Sequence, residues 1–372
     1  MTRALMLRFV TVVGASGSFF LLLSVVPLYA TASGGSGAAG LATGALMLAT
    51  VAGELTAVRL VNRYGHRLPL AAGLVLLGVP ALPLAVSASM TWIVAACLLR
   101  GLGFAFTIVA GGALTAALIP PERRGEGLGL IGVVSGVPSL VGLPLGVWLA
   151  AHVGYGPVFV VGAVVALAAL VVIPGLPAGA GADRASEPPI GVLTGFRTGA
   201  LARPTVVFAA TALGAGIIVT FLPLAVPASL SGVVAVALFV HPAASTAARW
   251  IAGRYGDRHG ATGLVLPALL ASAAGMVLMV PVHSAVAVVI GVALFGAGFG
   301  VAQNATLTLM YARVAPSGYG TVTALWNFAY DAGMGAGAVV FGLLAEWTGY
   351  PLAFALTAAL MLAAVVPALG DR

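Results

Sequence analysis

The sequence SGVVAVALFVHPAASTAARWIAGRYGDRHG, residues 231–260, joins a long apolar run to a short arginine-rich end. The run is long enough to cross a membrane core of about 30 Å as an α-helix, which takes about 20 apolar residues. Arg254 and Arg258 follow the run, and arginines beside spanning helices mark the cytoplasmic side of a membrane. The stretch therefore predicts a membrane-spanning helix followed by a cytoplasmic loop.

The composition of the whole chain indicates an integral membrane protein. Of its 372 residues, 61% are hydrophobic and 7% are charged, and the mean hydropathy is +1.15. Soluble proteins carry about 25% charged residues, so soluble enzymes, nucleic-acid-binding proteins and disordered chains are excluded. The 16 basic residues are scattered arginines, the five histidines lack metal-ligand spacing, and the single cysteine, Cys97, lies in an apolar run. We therefore expect no metal site, no cofactor and no nucleic-acid partner.

Pro, Gly and Arg divide the chain into apolar stretches of membrane-spanning length. We predict an all-α polytopic membrane protein with twelve transmembrane helices in two six-helix pseudo-repeats. The predicted helices are 5–30, 40–61, 68–88, 91–118, 126–151, 155–174, 204–225, 229–251, 262–281, 284–312, 320–345 and 351–369.

The arginines also predict the orientation of the chain. They follow the even-numbered helices up to the tenth, whereas the loops after the odd-numbered helices have none. With Arg3 before the first helix and Arg372 at the end, the positive-inside rule predicts a multi-pass protein of the cell inner (plasma) membrane with both termini cytoplasmic. A cleavable signal peptide is the alternative for the first helix, but its apolar run of about 20 residues exceeds the usual 7–15.

Residues 175–203 form the longest polar stretch and are rich in Gly, Pro and Ala. This composition is typical of a flexible linker. We predict an N-terminal six-helix bundle at 1–174, a cytoplasmic linker at 175–203 and a C-terminal six-helix bundle at 204–372.

The two halves repeat each other at one constant offset, which carries position 62 onto position 257. The matching segments are 62–66 (NRYGH) with 257–261 (DRHGA), 101–104 (GLGF) with 296–299 (GAGF), and 154–159 (GYGPVF) with 349–354 (GYPLAF). Because both halves have six helices and begin inside, the repeat is parallel, about an axis along the membrane normal. Transporters with this arrangement bind substrate near the bilayer midplane.

The arginine-rich end of residues 231–260 carries a family motif. Residues 253–260, GRYGDRHG, match the G-x-x-x-D-R-x-G loop signature of the major facilitator superfamily. Residues 58–67, VRLVNRYGHR, keep its Arg and second Gly but lack its first Gly and its Asp. Arg100, followed by Gly101 and Gly103, resembles the family's helix 4 Arg motif. Over its whole length the chain resembles a major facilitator superfamily transporter of the twelve-helix drug or metabolite exporter type.

The resemblance implies alternating access, in which two halves rock around a midplane site, and a monomeric protein. It also implies a cytoplasmic gate that latches in the outward-facing state, formed by Gly253, Asp257, Arg258, Gly260, Asn62, Arg63 and Gly65. Glycine permits close approach of the backbone, and Asp257 can pair with arginine or accept hydrogen bonds from N–H groups at a helix end. The alternative is a static positive-inside anchor.

Charged residues at membrane depth cost at least about 2.5–3.5 kcal/mol each on insertion scales and need an explanation. Similar depths suggest an ion pair between Glu54 and Arg100, and the alternative is that Arg100 satisfies backbone carbonyls. Asp331, Glu54 and His241 are the candidates for proton coupling. The alternatives are a structural, hydrogen-bonded acid at Asp331 and packing beside the Pro242 kink for His241.

Polar and aromatic residues in predicted helices 10 and 11 are candidates for lining a substrate cavity: Gln303, Asn304, Trp326 and Asn327. Amides at membrane depth also join helices, so this alternative stays open.

The expected function is transport and not catalysis. The chain has no lysine and hence no phosphate-binding G-x-x-x-x-G-K-[ST] loop, so the energy would come from an ion gradient. We expect a secondary active transporter whose partners are a small-molecule substrate, protons and the lipid bilayer. Proton-coupled efflux of small amphiphilic compounds or drugs by antiport is the leading hypothesis. The alternatives are uptake of a small metabolite, such as a sugar or organic acid, by symport and, remotely, a non-transporting membrane sensor or scaffold.

Overall fold

The protein is helical throughout its described parts. The computed structural model describes residues 3–118, 124–177, 199–315 and 318–370, and no strand occurs in them. Within these ranges ten helices are long and apolar enough to cross a membrane, and a shorter apolar helix covers Thr262–Leu278. The last long helix turns at Gly349, where φ is +74°, into two segments. The all-α polytopic class is confirmed, and the described segments are consistent with twelve spans.

We number these helices in chain order. The first six are α1 (Arg3–Ala32), α2 (Gly37–Tyr64), α3 (Arg67–Ala85), α4 (Met90–Leu118), α5 (Arg124–Val153) and α6 (Tyr155–Gly175). The second six are α7 (Gly199–Ala225), α8 (Ser231–His259), α9 (Thr262–Leu278), α10 (Ala285–Ala312), α11 (321–348) and α12 (350–369).

The chain divides into two compact units, Met1–Arg184 and Ala185–Arg372. The first unit contains α1 to α6 and the second contains α7 to α12. Most of the segment predicted as a linker, 175–203, lies outside the described residues, which end at 177 and resume at 199.

The arginine-rich motif is the end of a helix and not a loop, which corrects the expectation from the sequence. We expected the eighth helix to end at residue 251, but α8 continues to His259. The helix ends where the backbone of Gly260 takes φ 82° and ψ 153°, a combination essentially restricted to glycine. The charged residues Arg254, Asp257 and Arg258 all precede this end, because charged side chains are compatible with a helix where it emerges from the membrane into water. A glycine in a similar backbone conformation ends α2: Tyr64 is the last residue of that helix, and Gly65 after it has φ 72° and ψ −168°.

The sequence repeat is also a structural repeat within the units. Two pairs of glycines with positive φ are related by the offset of the sequence repeat: Gly65 with Gly260, and Gly154 with Gly349. Helix crossings repeat as well. A Cβ on Gly103 would lie 2.7 Å from the carbonyl oxygen of Gly73, and a Cβ on Gly298 would lie 2.6 Å from that of Ala268. The α3–α4 and α9–α10 contacts therefore share one register.

In each unit one helix is most enclosed by the others. Among the candidate spans, α1 is the most buried of the first unit and α7 of the second. The α1 helix packs against α5 and α6, and α7 packs against the continuous helix that contains α11 and α12. The remaining helices present more of their apolar surface outwards, as lipid-facing helices do.

Candidate functional site

Arg100 on α4 is buried in the first unit, with 3% of its surface exposed. Its Nη1 donates to the carbonyl oxygen of Leu77 at 2.5 Å, and its Nη2 donates to that of Ser18 at 3.1 Å. The side chain thus ties α4 to α3 and α1. The predicted ion pair between Arg100 and Glu54 is absent from the described structure, and the alternative, that Arg100 satisfies backbone carbonyls, is what is found.

The axial register of α2 and α4 explains why the ion pair does not form. A Cβ on Gly101 would run into the carbonyl oxygen of Leu46, so Arg100 lies level with Leu46 on α2. The residue before Glu54, Gly53, packs against Leu102 and Ala105, where a Cβ would lie 3.3 Å from Leu102 Cα and 2.7 Å from Ala105 Cβ. Glu54 therefore lies about one turn beyond Arg100 along the two helices, and it is Gly53, not the half-buried Glu54, that faces α4 there.

In the second unit, Asp331 on α11 is buried, with 6% of its surface exposed. Asp331 and Arg249 on α8 both lie close enough to the Tyr330 hydroxyl to interact with it electrostatically. The sequence reasoning missed Arg249. The repeat could have found it, because Arg249 occupies in the second half the position that Glu54 occupies in the first.

His241 on α8 is also buried, with 6% of its surface exposed. Its ring stacks on two phenylalanines of α10: the His241 ring centroid lies 5.7 Å from that of Phe295 and 5.9 Å from that of Phe299. Neither ring nitrogen has a hydrogen-bond partner among the described residues. The close approach depends on Gly296, where a Cβ would lie 2.6 Å from the carbonyl oxygen of His241.

The two phenylalanines beside His241 belong to a larger group of nearly parallel rings. Phe208 of α7 stacks on Trp326 of α11 at 4.4 Å and 14°, and on Phe299 at 6.1 Å and 13°. Tyr330 lies 6.1 Å from Trp326. Trp326 Nε1 donates to Thr306 Oγ1 of α10 at 3.3 Å. We call these six side chains the aromatic cluster of the second unit: Phe208, His241, Phe295, Phe299, Trp326 and Tyr330.

The four residues predicted to line a cavity are all half-buried, which neither favours nor excludes that role: Gln303, Asn304, Trp326 and Asn327. Trp326 belongs to the aromatic cluster. Asn304 packs against the gate motif, because a Cβ on Gly253 would lie 3.3 Å from its Nδ2. The first glycine of the motif therefore leaves room for the Asn304 amide.

The predicted gate residues lie at the ends of α2 and α8. Those with charged or amide side chains are exposed: Asn62, Arg63, Asp257 and Arg258. Gly65 and Gly260 provide the two positive-φ helix ends. His66, which follows Gly65, is buried, and this burial lowers the pKa of its imidazole below the ordinary value.

Comparisons with known proteins agree with this architecture. The family model described as Major Facilitator Superfamily matches residues 8–338. Among solved structures, a point mutant of the nucleoside transporter NupG is similar, with a TM-score of 0.79 and 13% identity over 99% of each chain. A second NupG structure has a TM-score of 0.76 and 14% identity over 100% of this chain and 98% of the other. A search of curated protein sequences gave no match. At 13–14% identity the solved structures show only the fold. The family model matches most of the sequence, and the chain therefore belongs to the major facilitator superfamily.

Proposed function

We propose that this protein is a proton-coupled secondary transporter of small amphiphilic organic compounds, working by alternating access, with export as the leading direction. The observation that carries the proposal is the buried carboxyl group of Asp331, in a chain of a transporter family. A carboxyl group at membrane depth costs several kcal/mol, and such groups mark ion and substrate pathways.

Asp331 is the first candidate for the proton-coupling residue. The Tyr330 hydroxyl interacts electrostatically with Asp331 and with the Arg249 guanidinium of α8, so Tyr330 is the link through which a change in the charge of Asp331 would reach α8. Glu54 and His241 are the further candidates. The exposed ends of α2 and α8, with Asp257, are proposed as the cytoplasmic gate.

Uptake of a small metabolite is the second candidate function. It is supported by the similar solved structures, which are those of a nucleoside transporter. A nucleoside carries a flat heteroaromatic base, and the aromatic cluster holds nearly parallel rings on which such a base could stack.

Accumulation of a panel of fluorescent dyes, antibiotics and radiolabelled nucleosides in pump-deficient cells tests both directions, with and without a protonophore. Lowered accumulation that the protonophore restores would support export, and protonophore-sensitive raised accumulation would support uptake. Flux that never responds to the protonophore would contradict proton coupling.

The variant Asp331→Asn tests the coupling residue. We expect it to lose at least about tenfold of the proton-driven flux, because an amide cannot take up and release a proton. Glu346→Gln is the matched control, since Glu346 is an exposed acid on the same helix, and its flux should be close to wild type. Unchanged proton-driven flux in Asp331→Asn would remove Asp331 from this role and leave Glu54 and His241 to be tested.

A further inference from the structure

Arg249 on α8 is a cation to which the described residues offer no counter-ion. It precedes His259, the end of α8, by ten residues, and so lies inside the stretch 229–251 that the sequence predicts to span the membrane. Its side chain is exposed. Within the described ranges it forms neither a hydrogen bond nor an ion pair, and it interacts electrostatically with the Tyr330 hydroxyl. Charged side chains in spanning helices face the bundle interior or water, and they mark substrate and ion pathways.

The packing of α8 on α10 gives the level of Arg249. A Cβ on Gly300 would meet the carbonyl oxygen of Ser245, and a Cβ on Gly253 would lie 3.3 Å from Nδ2 of Asn304. Arg249 is four residues from Ser245 and four from Gly253, so it lies between these two contacts. It is therefore beside the turn of α10 that joins Gly300 to Asn304, and the two half-buried amides of α10 belong to this turn.

Two aromatic residues of α11 flank the same turn of α10. Trp326 Nε1 donates to Thr306 Oγ1 at 3.3 Å, on one side of the turn, and the ring centroid of Tyr330 lies 6.0 Å from that of Phe299, on the other side. The rings of Trp326 and Tyr330 are inclined to each other by 14°. Both side chains are half-buried, so part of each is open to a ligand. The cation of α8 thus lies at the level of two nearly parallel rings.

The fold does not require polar groups on this turn. In the sequence repeat, Gln303 and Asn304 correspond to Ile108 and Val109 of α4. The α2–α4 and α8–α10 crossings share one register at their glycine contacts, so aliphatic side chains satisfy these places in the first unit. The two amides of the second unit therefore need a separate reason.

We propose that Arg249 binds the negatively charged group of the transported compound, and that this compound is a small organic monoanion whose flat ring packs on Trp326 and Tyr330. One guanidinium balances one negative charge, and its planar fork matches the two oxygens of a carboxylate. Flat rings stack favourably on aromatic side chains, and the amides of Gln303 and Asn304 can bind polar substituents. Apolar and aromatic surface with a few placed polar groups is the usual form of a small-molecule site. The inference rests on the proposed transport function and deepens it, because it names the charge and the shape of the amphiphilic substrate.

Differential scanning calorimetry of the purified full-length protein tests this binding without a proton gradient. Benzoate is the probe, benzamide is its neutral analogue of the same shape, and cyclohexanecarboxylate has the same charge without a flat ring. We expect benzoate to raise the unfolding temperature by a few degrees in a saturable manner, because a ligand that binds only the folded state stabilises it. Benzamide should have no such effect, and cyclohexanecarboxylate should have a smaller one.

Variants of two exposed arginines of α8 provide the decisive comparison. Arg249→Gln should lose the benzoate shift, and Arg249→Lys should keep only part of it, because lysine retains the charge but not the fork. Arg254→Gln is the matched control and should keep the full shift, since the Arg254 guanidinium lies over the Trp250 ring, 4.6 Å from its centroid. Trp326→Leu should reduce the benzoate shift to that of cyclohexanecarboxylate.

Equal shifts with benzoate and benzamide, no shift with benzoate, or a full shift in Arg249→Gln would each overturn the proposal. If Arg249→Gln does not fold, the contrast between the ligands and the result for Arg249→Lys decide. A Trp326→Leu protein with the full benzoate shift would refute the packing of the ring on this residue. Because calorimetry measures binding alone, absence of anion binding is distinguishable from failure of proton-driven transport.

Discussion

At the scale of single residues, Arg8 and Gly111 show how a buried charge depends on a missing side chain. The Nε of Arg8 donates to the carbonyl oxygen of Gly111 at 3.1 Å, and its Nη1 donates to Thr11 Oγ1 at 2.8 Å. A Cβ on Gly111 would overlap the guanidinium. From the sequence, Arg8 is only a charge in the first turns of the first predicted helix, whereas in the structure it ties α1 to α4.

We therefore expect Gly111→Ala to destabilise the protein by about 1–3 kcal/mol, because the guanidinium must move and its bond to α4 is lost. Gly112→Ala is the matched control, since a Cβ there meets no atom within 4 Å. Both changes bring the same gain in helix propensity. The unfolding temperature in detergent measures the difference, and equal values for the two variants would refute the role of Gly111.

At the scale of helices, the ends of α2 and α8 are fixed by backbone geometry. The N–H of Gly65 donates to the carbonyl of Val61 at 2.9 Å, and the N–H of Gly260 donates to that of Gly256 at 2.8 Å. Arginines bond to other helix ends, as Arg67 does to the carbonyl of Leu176 at 2.5 Å, where the partial negative charge of a helix C-terminus favours a cation. Some of the arginines that predict topology therefore also stabilise helix ends.

Replacing Gly260 by alanine should cost about 1–3 kcal/mol, because its φ and ψ are restricted to glycine. Gly263→Ala is the control, since a Cβ at Gly263 near the start of α9 has open space. A lower unfolding temperature for Gly260→Ala than for Gly263→Ala is the expected result. If the two variants unfold together, the helix end tolerates another conformation and Gly260 is not needed for stability.

At the scale of the whole molecule, the arginine pattern and the helix order together make a prediction of topology. His259 lies at the end of α8, and His283 lies between α9 and α10; both are exposed. Because α9 separates them, we expect them on opposite sides of the membrane, with His259 in the cytoplasm.

Single-cysteine labelling checks this prediction in a Cys97→Ser background. A membrane-impermeant maleimide added to intact cells should label His283→Cys and leave His259→Cys unlabelled, and everted vesicles should reverse the pattern. Labelling of His259→Cys in intact cells would place the gate motif outside and invert the orientation. A permeant maleimide, which should label both variants, controls for reactivity.

The sequence alone determined the features that depend on local composition. The length of the apolar runs is enough to predict helices that cross a membrane, and the internal repeat follows from the glycine and aromatic segments that recur in both halves. It also found Asp331 and His241 as buried polar residues, because an ionisable group inside an apolar run is visible without a structure. What it misjudged was the end of α8, since an arginine-rich segment does not break a helix and a glycine with positive φ does.

Only the tertiary structure decided which side chains meet. Counting residues from the ends of a helix gives a depth, but it does not give the axial register or the rotation of that helix against its neighbours. The partners of Arg100 and the neighbours of Asp331 depend on both. Gly101 packs against Leu46, and Gly53 packs against Leu102 and Ala105. This register leaves Glu54 about one turn beyond Arg100, and Arg100 bonds to the carbonyls of Leu77 and Ser18 instead. The fold was therefore encoded in local patterns, whereas the contacts of the charged residues were decided by how closely glycines allow the helices to pack.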